Sequence, residues 1–389
     1  MRILIFGGSF NPPHKGHRAA ALAAQKQIKP DLFLIIPDYQ PPHKELSPGA
    51  PTPEQRLELC RVCFDGVPGA LVSDLEIRRG GVSYTSDTLR ALSEQYPGAR
   101  FTLMVGMDML DTLTTWHEAD YLLKTADILA FPRSGGQSGR VKAAAAALRE
   151  RFGASVEPLR DFKPAAVSST NVRRALRFRG GTGMLTEGVY AYIIKHRLYG
   201  ARVNFRWLRR QGYAMLRPKR IPHVRGCEEE AARLAARWGA DPEKAALAAI
   251  LHDCTKKEDL TGQLRLCEKY GIIPDAVERE SGKLLHAKTG AAVAEREFGM
   301  PPDVVSAIRW HTTGRADMTL PEKIMYMADY IEPTREFEGV DDLRALAYED
   351  LDAALALGFE MSLEEVRGHG DTPHPDTVSA LRWYKERKT

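Results

Sequence analysis

The chain has 389 residues, 43% hydrophobic and 27% charged, with a net charge of +4. That length exceeds one ordinary core and predicts two domains, while the composition excludes a disordered or membrane-resident chain. The small positive balance is no footprint for nucleic acid, though it suits substrates that carry several phosphates.

The apolar run Arg2-Ile3-Leu4-Ile5 predicts an opening strand. Residues 6 to 17 follow it as Phe6-Gly7-Gly8-Ser9-Phe10-Asn11-Pro12-Pro13-His14-Lys15-Gly16-His17. Gly7 and Gly8 are expected to turn the backbone tightly and let a ligand approach closely. His14 and His17 are expected to converge where an Ala-rich helix begins, and a helix N-terminus stabilises an anion.

Strands are predicted over Arg2 to Phe6, Leu32 to Pro37, Phe101 to Val105 and Asp127 to Phe131. Helices are predicted over Gly16 to Ile28, Glu54 to Phe64, Thr85 to Gln95 and Val141 to Phe152. The alternation implies an α/β fold with a doubly wound, Rossmann-like parallel sheet, which binds ligands beyond the carboxyl ends of its strands. Cys60 and Cys63 form a CxxC inside a helical run without a second pair, so they read as core. The five cysteines are odd in number and scattered. That argues against a disulfide framework, and with no signal-peptide pattern at the start the expected compartment is the cytoplasm.

After Tyr199 the texture changes to helical patterns over Glu228 to Trp238, Glu243 to Asp253, Lys283 to Phe298 and Pro321 to Ile331, with no convincing strand. An all-α second domain is expected over residues 201–389, following an α/β domain over 1–200.

His14-Lys15-Gly16-His17 resembles the HxGH signature of the nucleotidylyltransferase superfamily, and Val167-Ser168-Ser169-Thr170-Asn171-Val172-Arg173 resembles its ISSTxxR element. Pro41-Pro42-His43-Lys44, Ser83-Tyr84-Thr85-Ser86-Asp87-Thr88-Leu89 and Gly106-Met107-Asp108-Met109 with Trp116 are most similar to bacterial nicotinate-nucleotide adenylyltransferases. The resemblance implies condensation of nicotinate mononucleotide with ATP, releasing pyrophosphate, with Mg²⁺ arriving on ATP. It implies that Trp116 stacks on the pyridine ring, Thr85 helps fix its carboxylate, Lys44 lies near the mononucleotide phosphate and Asp108 contacts the adenosine side. Gly7, Gly8, Ser9, Phe10, Gly106, Ser168, Ser169 and Thr170 complete the expected binding set. His14, His17, Arg173 and Arg133 are the expected charge stabilisers. By itself a tryptophan at 116 reads as core; the flanking Gly106 and Asp108 are what favour the stacking role. His43 and His117 receive no role.

In the second half the order His223, His252-Asp253, His286, His311, Asp329 resembles the HD-domain metal-dependent phosphohydrolases. Six ligands suffice for two divalent ions sharing Asp253, and imidazole with carboxylate suits Fe, Mn, Co or Zn. Lys256, one turn after Asp253, is expected to hold a phosphate; Arg217, Lys219 and Arg220 flank the series. Ala249-Ile250-Leu251-His252-Asp253-Cys254-Thr255-Lys256, His311-Thr312-Thr313-Gly314 and His374-Pro375-Asp376-Thr377 resemble symmetrical bis(5'-nucleosyl)-tetraphosphatases. That subgroup implies cleavage of diadenosine tetraphosphate to two ADP with iron; Cys254 departs from its bulkier residue. His369 and His374 fall outside the ligand order. Two rival readings of the second half are hydrolysis of another phosphoester and a nucleotide-sensing module without turnover.

Overall fold

The computed structural model describes residues 1–42, 45–46, 49–132 and 138–386. The chain divides into two compact units, Met1–Val203 and Asn204–Thr389.

The first unit is a six-stranded parallel sheet of β1 (Arg2–Gly8), β2 (Leu32–Pro37), β3 (Ala70–Val72), β4 (Arg100–Gly106), β5 (Ala126–Phe131) and β6 (Val156–Pro158), ordered β3-β2-β1-β4-β5-β6. Its helices are α1 (Lys15–Ile28), α2 (Pro53–Phe64), α3 (Leu75–Arg79), α4 (Thr85–Gln95), α5 (Met107–Leu110), α6 (Ala119–Thr125), α7 (Ser138–Phe152), α8 (Ser169–Arg177) and α9 (Glu187–Lys195). The sheet is therefore doubly wound, as the alternation of apolar runs implies. The central strands are buried on both faces, which is why they read as unbroken apolar runs. Ile3 and Ile5 join a core with Leu89, Leu122 and Val141. The alternate residue Phe6 meets Phe64 of α2 edge-to-face at 6.2 Å. Cys60 and Cys63 are fully buried in that packing, as their context suggested.

One local expectation is corrected. Gly7 and Gly8 are the last residues of β1, pairing with Ile36 and Pro37, and neither has a positive φ. The turn is made at Phe10, with φ of +43°, and its ring lies 3.7 Å from where a Cβ on Gly8 would stand.

In the second unit the described residues form α10 (Phe205–Ala214), α11 (Ile221–Trp238), α12 (Pro242–Leu251), α13 (Leu260–Tyr270), α14 (Gly282–Arg296), α15 (Pro302–Arg309), α16 (Leu320–Ile331), α17 (Val340–Glu349), α18 (Leu351–Gly368) and α19 (Pro375–Glu386), without a strand. Capping sets the ends. Asp241 caps α12 ahead of Pro242, Thr319 and Glu322 form a capping box on α16, and Gly239 ends α11 in the left-handed region. Buried faces of α11, α12, α14 and α16 form the core around His252 and Asp253, both fully buried.

Two candidate active sites

In the first unit His14 is the N-cap of α1. Its Nδ1 accepts from the backbone N–H of His17 at 3.4 Å, while Nδ1 of His17 accepts from the backbone N–H of His14 at 3.2 Å. The rings stack with centroids 3.8 Å apart. Because each Nδ1 is an acceptor, the neutral imidazoles carry their proton on Nε2, which makes both donors toward an anion. Gly16 allows the stacking, since a Cβ there would stand 3.0 Å from Nδ1 of His14.

A cavity of about 820 Å³ opens on this pair. Gly7, Gly8, Ser9 and Phe10 line it from the end of β1, and Ser168, Ser169 and Thr170 from the start of α8. Ser168 caps α8 by accepting from Asn171 N–H, and Ser169 Oγ donates to the Pro12 carbonyl, so the second helix start is tied to the first loop. Two helix N-termini thus face one cavity. Thr85, Asp108 and Trp116 line it as well. Trp116 is half-buried, packs against the core and also faces the cavity, so the two readings of it hold together.

Gly106 ends β4 without lining the cavity. Arg173 is likewise absent from the lining; its guanidinium donates to the Asn11 carbonyl at 2.7 Å and to Thr170 Oγ1 at 3.3 Å, bracing the loop. Lys44 and Arg133 lie outside the described residues, as does His43.

Three contributors carry no sequence motif. His117 lines the cavity and stacks on Tyr84 at 4.4 Å between centroids. Arg56, fully buried, pairs with Asp38 at 2.8 Å and donates to the Ser9 and Tyr39 carbonyls, holding the first loop against the end of β2. Glu76 lines the cavity with its carboxylate accepting from Thr88 Oγ1 at 2.6 Å; burial pushes its carboxyl up to about 7 despite that bond.

In the second unit the predicted ligands converge from separate elements. His223 comes from the first turn of α11, His252 and Asp253 follow α12, His286 is on α14, His311 follows α15 and Asp329 is on α16. Nδ1 of His252, His286 and His311 lies 2.7, 2.6 and 2.6 Å from the carbonyls of Ala249, Lys283 and Ile308. A carbonyl only accepts, so each Nδ1 donates and each Nε2 keeps a lone pair. His223 is held the same way, with Nδ1 3.0 Å from Oε1 of fully buried Glu332.

The inward nitrogens then face one another, His223 to His252 at 3.3 Å and His286 to His311 at 3.0 Å. Facing lone pairs repel unless a cation lies between them. Burial, followed by the positive charge of neighbouring groups, holds His286 and His311 below the usual imidazole range, so a shared proton is disfavoured. Asp253 spans the cluster: Oδ2 is 3.3 Å from His252 Nε2, and Oδ1 is 3.1 Å from His286 Nε2 without forming a hydrogen bond. Burial acts to raise the Asp253 and Asp329 carboxyls. It is outweighed by His252 with His286 at Asp253 and by His223 with His252 at Asp329, helped by Lys256 at both, and the two stay well below the carboxylate range. A buried carboxylate oxygen that accepts no hydrogen bond, among four imidazole lone pairs, is a donor set that fits divalent metal ions.

Lys256 Nζ lies 3.1 Å from Asp253 Oδ1 and is part-exposed. Arg220, a flanking residue in the sequence, reaches Asp253 Oδ2 at 2.5 Å, and Arg335, which no motif marked, pairs with Asp329 at 2.9 Å. Cys254 is buried, its Sγ 3.9 Å from the Gly290 carbonyl. His374 caps α19 and meets Asp275 at 2.9 Å in a group with Glu278, while His369 is exposed.

The Cytidylyltransferase-like family model matches residues 5–175 and the HD domain model matches residues 220–334. A Gloeobacter violaceus protein named "Probable nicotinate-nucleotide adenylyltransferase" is 42% identical over 200 residues, covering 51% of this chain and 96% of the relative. The Bacillus subtilis "Bis(5'-nucleosyl)-tetraphosphatase, symmetrical" is 40% identical over 168 residues, 42% of this chain and 88% of the relative. An HD superfamily hydrolase of known structure from Clostridium acetobutylicum is 38% identical with a TM-score of 0.46, covering 47% of this chain and 97% of that one. With both signatures present and both site geometries formed, the chain belongs to two families, the nicotinate-nucleotide adenylyltransferases over its first half and the HD-domain symmetrical bis(5'-nucleosyl)-tetraphosphatases over its second.

Proposed function

We propose that the chain is a bifunctional enzyme. Its first unit transfers AMP from ATP to nicotinate mononucleotide, giving deamido-NAD and pyrophosphate. Its second hydrolyses diadenosine tetraphosphate symmetrically to two ADP.

What carries the first activity is the pair of helix N-termini that face one cavity, with His14 and His17 presenting Nε2–H donors. The mononucleotide phosphate attacks the α-phosphorus of ATP in line, and pyrophosphate leaves as the new P–O bond forms. No side-chain nucleophile is needed. The chain positions the two phosphates and stabilises developing charge through the histidine donors, the α8 amides and hydroxyls, and the Arg133 guanidinium, while Arg173 braces the first loop behind them. Trp116 and Thr85 supply a stacking face and a hydroxyl for the pyridine ring and its carboxylate, and Asp108 an acceptor on the adenosine side. Mg²⁺ enters with ATP, bound chiefly by phosphate oxygens.

The second activity is supported by the four inward lone pairs around Asp253. Two divalent ions, iron being the choice implied by the family, would be held by His223, His252, Asp253 and Asp329 on one side and Asp253, His286 and His311 on the other. When bound, such a pair would supply Lewis-acid charge for the phosphate and a hydroxide near neutral pH. The chain's part is to fix the ligands through their Nδ1–H bonds and to offer Lys256 and Arg220 to the polyphosphate.

The test is chromatographic product analysis with full-length protein, diadenosine tetraphosphate and Fe²⁺ or Mn²⁺ under low oxygen. In parallel, ATP is offered with nicotinate mononucleotide, nicotinamide mononucleotide or phosphopantetheine. ADP as sole product and preference for the nicotinate acceptor are expected. No turnover with either metal, beside intact adenylylation, would leave the sensing or another phosphoesterase role for the second unit.

A further inference from the structure

The metal-ligand order read from the sequence contains no sulfur, yet a thiol stands among the ligands. Cys227 follows His223 by four residues on α11, which places both on one face. It is fully buried, with Sγ 3.3 Å from His223 Nε2 and 4.0 Å from Asp329 Oδ1. Around it, His223 Nε2 is 3.0 Å from Asp329 Oδ1 and 3.3 Å from His252 Nε2, and His252 Nε2 is 3.8 Å from Asp329 Oδ1. Nitrogen and oxygen ligands at about 2.0–2.1 Å and one sulfur at about 2.3 Å from a tetrahedral ion give donor separations of roughly 3.3 to 3.6 Å. The donor atoms of His223, Cys227, His252 and Asp329 all lie within 4.8 Å of one another. The thiol is therefore one of four donors close enough together to converge on a single ion after small side-chain shifts.

The other half of the cluster is unlike it. His286 and His311 meet Asp253 Oδ1, the buried oxygen that accepts no hydrogen bond, at 3.1 and 3.9 Å. The nearest cysteine in sequence, Cys254, directs its sulfur to the Gly290 carbonyl instead.

We propose that Cys227 is a thiolate ligand of the ion held by His223, His252 and Asp329, so that the two metal positions differ in chemistry. This rests on the metal-hydrolase reading of the second unit. Ligation releases the thiol proton to solvent as the sulfur–metal bond forms. A thiolate favours Zn²⁺, Fe²⁺ or Co²⁺ over Mg²⁺ and Mn²⁺, whereas imidazole and carboxylate alone discriminate less. The thiolate position would then bind a soft ion more tightly, and the sulfur-free position would exchange more readily.

The measurement is the absorption spectrum of full-length protein titrated with Co²⁺ under low oxygen, for wild type, Cys227→Ser and Cys254→Ser. Expected is a near-ultraviolet sulfur-to-cobalt charge-transfer band that saturates at one equivalent, persists in Cys254→Ser and is lost in Cys227→Ser while its visible ligand-field bands remain. Visible bands without the charge-transfer band in wild type would overturn the proposal and leave the metal reading standing, independently of how any variant folds. Persistence of the band in Cys227→Ser would also overturn it. Protein that takes up no cobalt would overturn both readings.

Discussion

Glu332 accepts from Nδ1 of His223 and from the backbone and hydroxyl of Thr334, and Gly226 on α11 gives it room, since a Cβ there would collide with its Oε2. A carboxylate behind a ligating histidine fixes the ring's tautomer and raises its basicity. Glu332→Gln should therefore weaken metal binding at the His223 side by about 10- to 100-fold, checked by competition with a chelator. Affinity unchanged in the variant would mean that His223 needs no positioning. In the first unit Glu76 makes a pH prediction. Its unfolded carboxyl gives up a proton near 4.5 and its folded one near 7, so between these values the native chain holds more protons. Stability of the first unit should fall as pH rises through that window and level off above it. The buried carboxylate then costs roughly 3 kcal/mol at pH 8. Glu76→Gln should raise the urea midpoint of residues 1–203 at pH 8 and change it little at pH 5, read by pulse proteolysis of the full chain. An equal effect at both values would exclude titration of Glu76 as the cause.

At the scale of elements, the second site depends on α14 lying close to the turn that follows α12. A Cβ on Gly290 would stand 3.0 Å from the His252 carbonyl oxygen, which is backbone and has little freedom to retreat. Below it, Thr255 Oγ1 donates to the His286 carbonyl, and Gln263 links Thr255 and Thr289, so the turn and α14 are joined by buried hydrogen bonds. Gly290→Ala should drive the two apart, destabilising the second unit by about 1–3 kcal/mol and lowering the bound-metal count. Thermal melting with and without metal, together with metal analysis, checks this; wild-type values for both would refute the packing argument. The same distinction explains what the sequence could reveal. Long elements were legible: β1 and β4 as unbroken apolar runs, because both faces are buried, and α1 and α16 because burial on one face imposes a period. The edge strands β3 and β6, of three residues each, and the four-residue α5 are too short for a period to emerge. Among the candidate site residues, the six proposed metal ligands and the two histidines at the start of α1 were legible through spacing within known motifs. Arg56 and Glu332 were not, because their roles exist only across the fold: Glu332 meets a histidine 109 residues away. Cys227 had a local signal in its four-residue offset from His223, but the type of side chain fell outside the expected ligand set.

For the whole molecule, each compact unit carries its own core and its own complete set of described site residues. The described site residues of the first unit run from Gly7 to Arg173 and those of the second from Arg220 to Arg335, on either side of the division at 203/204. Lesions in one unit should therefore leave the other's chemistry intact. His17→Ala removes half of the His14–His17 cap and the Nε2–H donor proposed for the phosphate. Adenylylation should fall by about 10²- to 10³-fold, the usual loss for one charge-stabilising donor. The missing cap should lower the first unit's stability by about 1 kcal/mol. Hydrolysis in the same preparation should stay at the wild-type rate. His252→Ala removes a proposed metal ligand of the second unit and should abolish hydrolysis with adenylylation unchanged. The double variant should lose both activities by the same factors as the single ones. Both rates are read from one sample, by pyrophosphate release and by ADP formation, so expression and concentration cancel in the ratio. If either single variant loses both activities while still melting cooperatively, the two sites are coupled in a way that separate units do not explain.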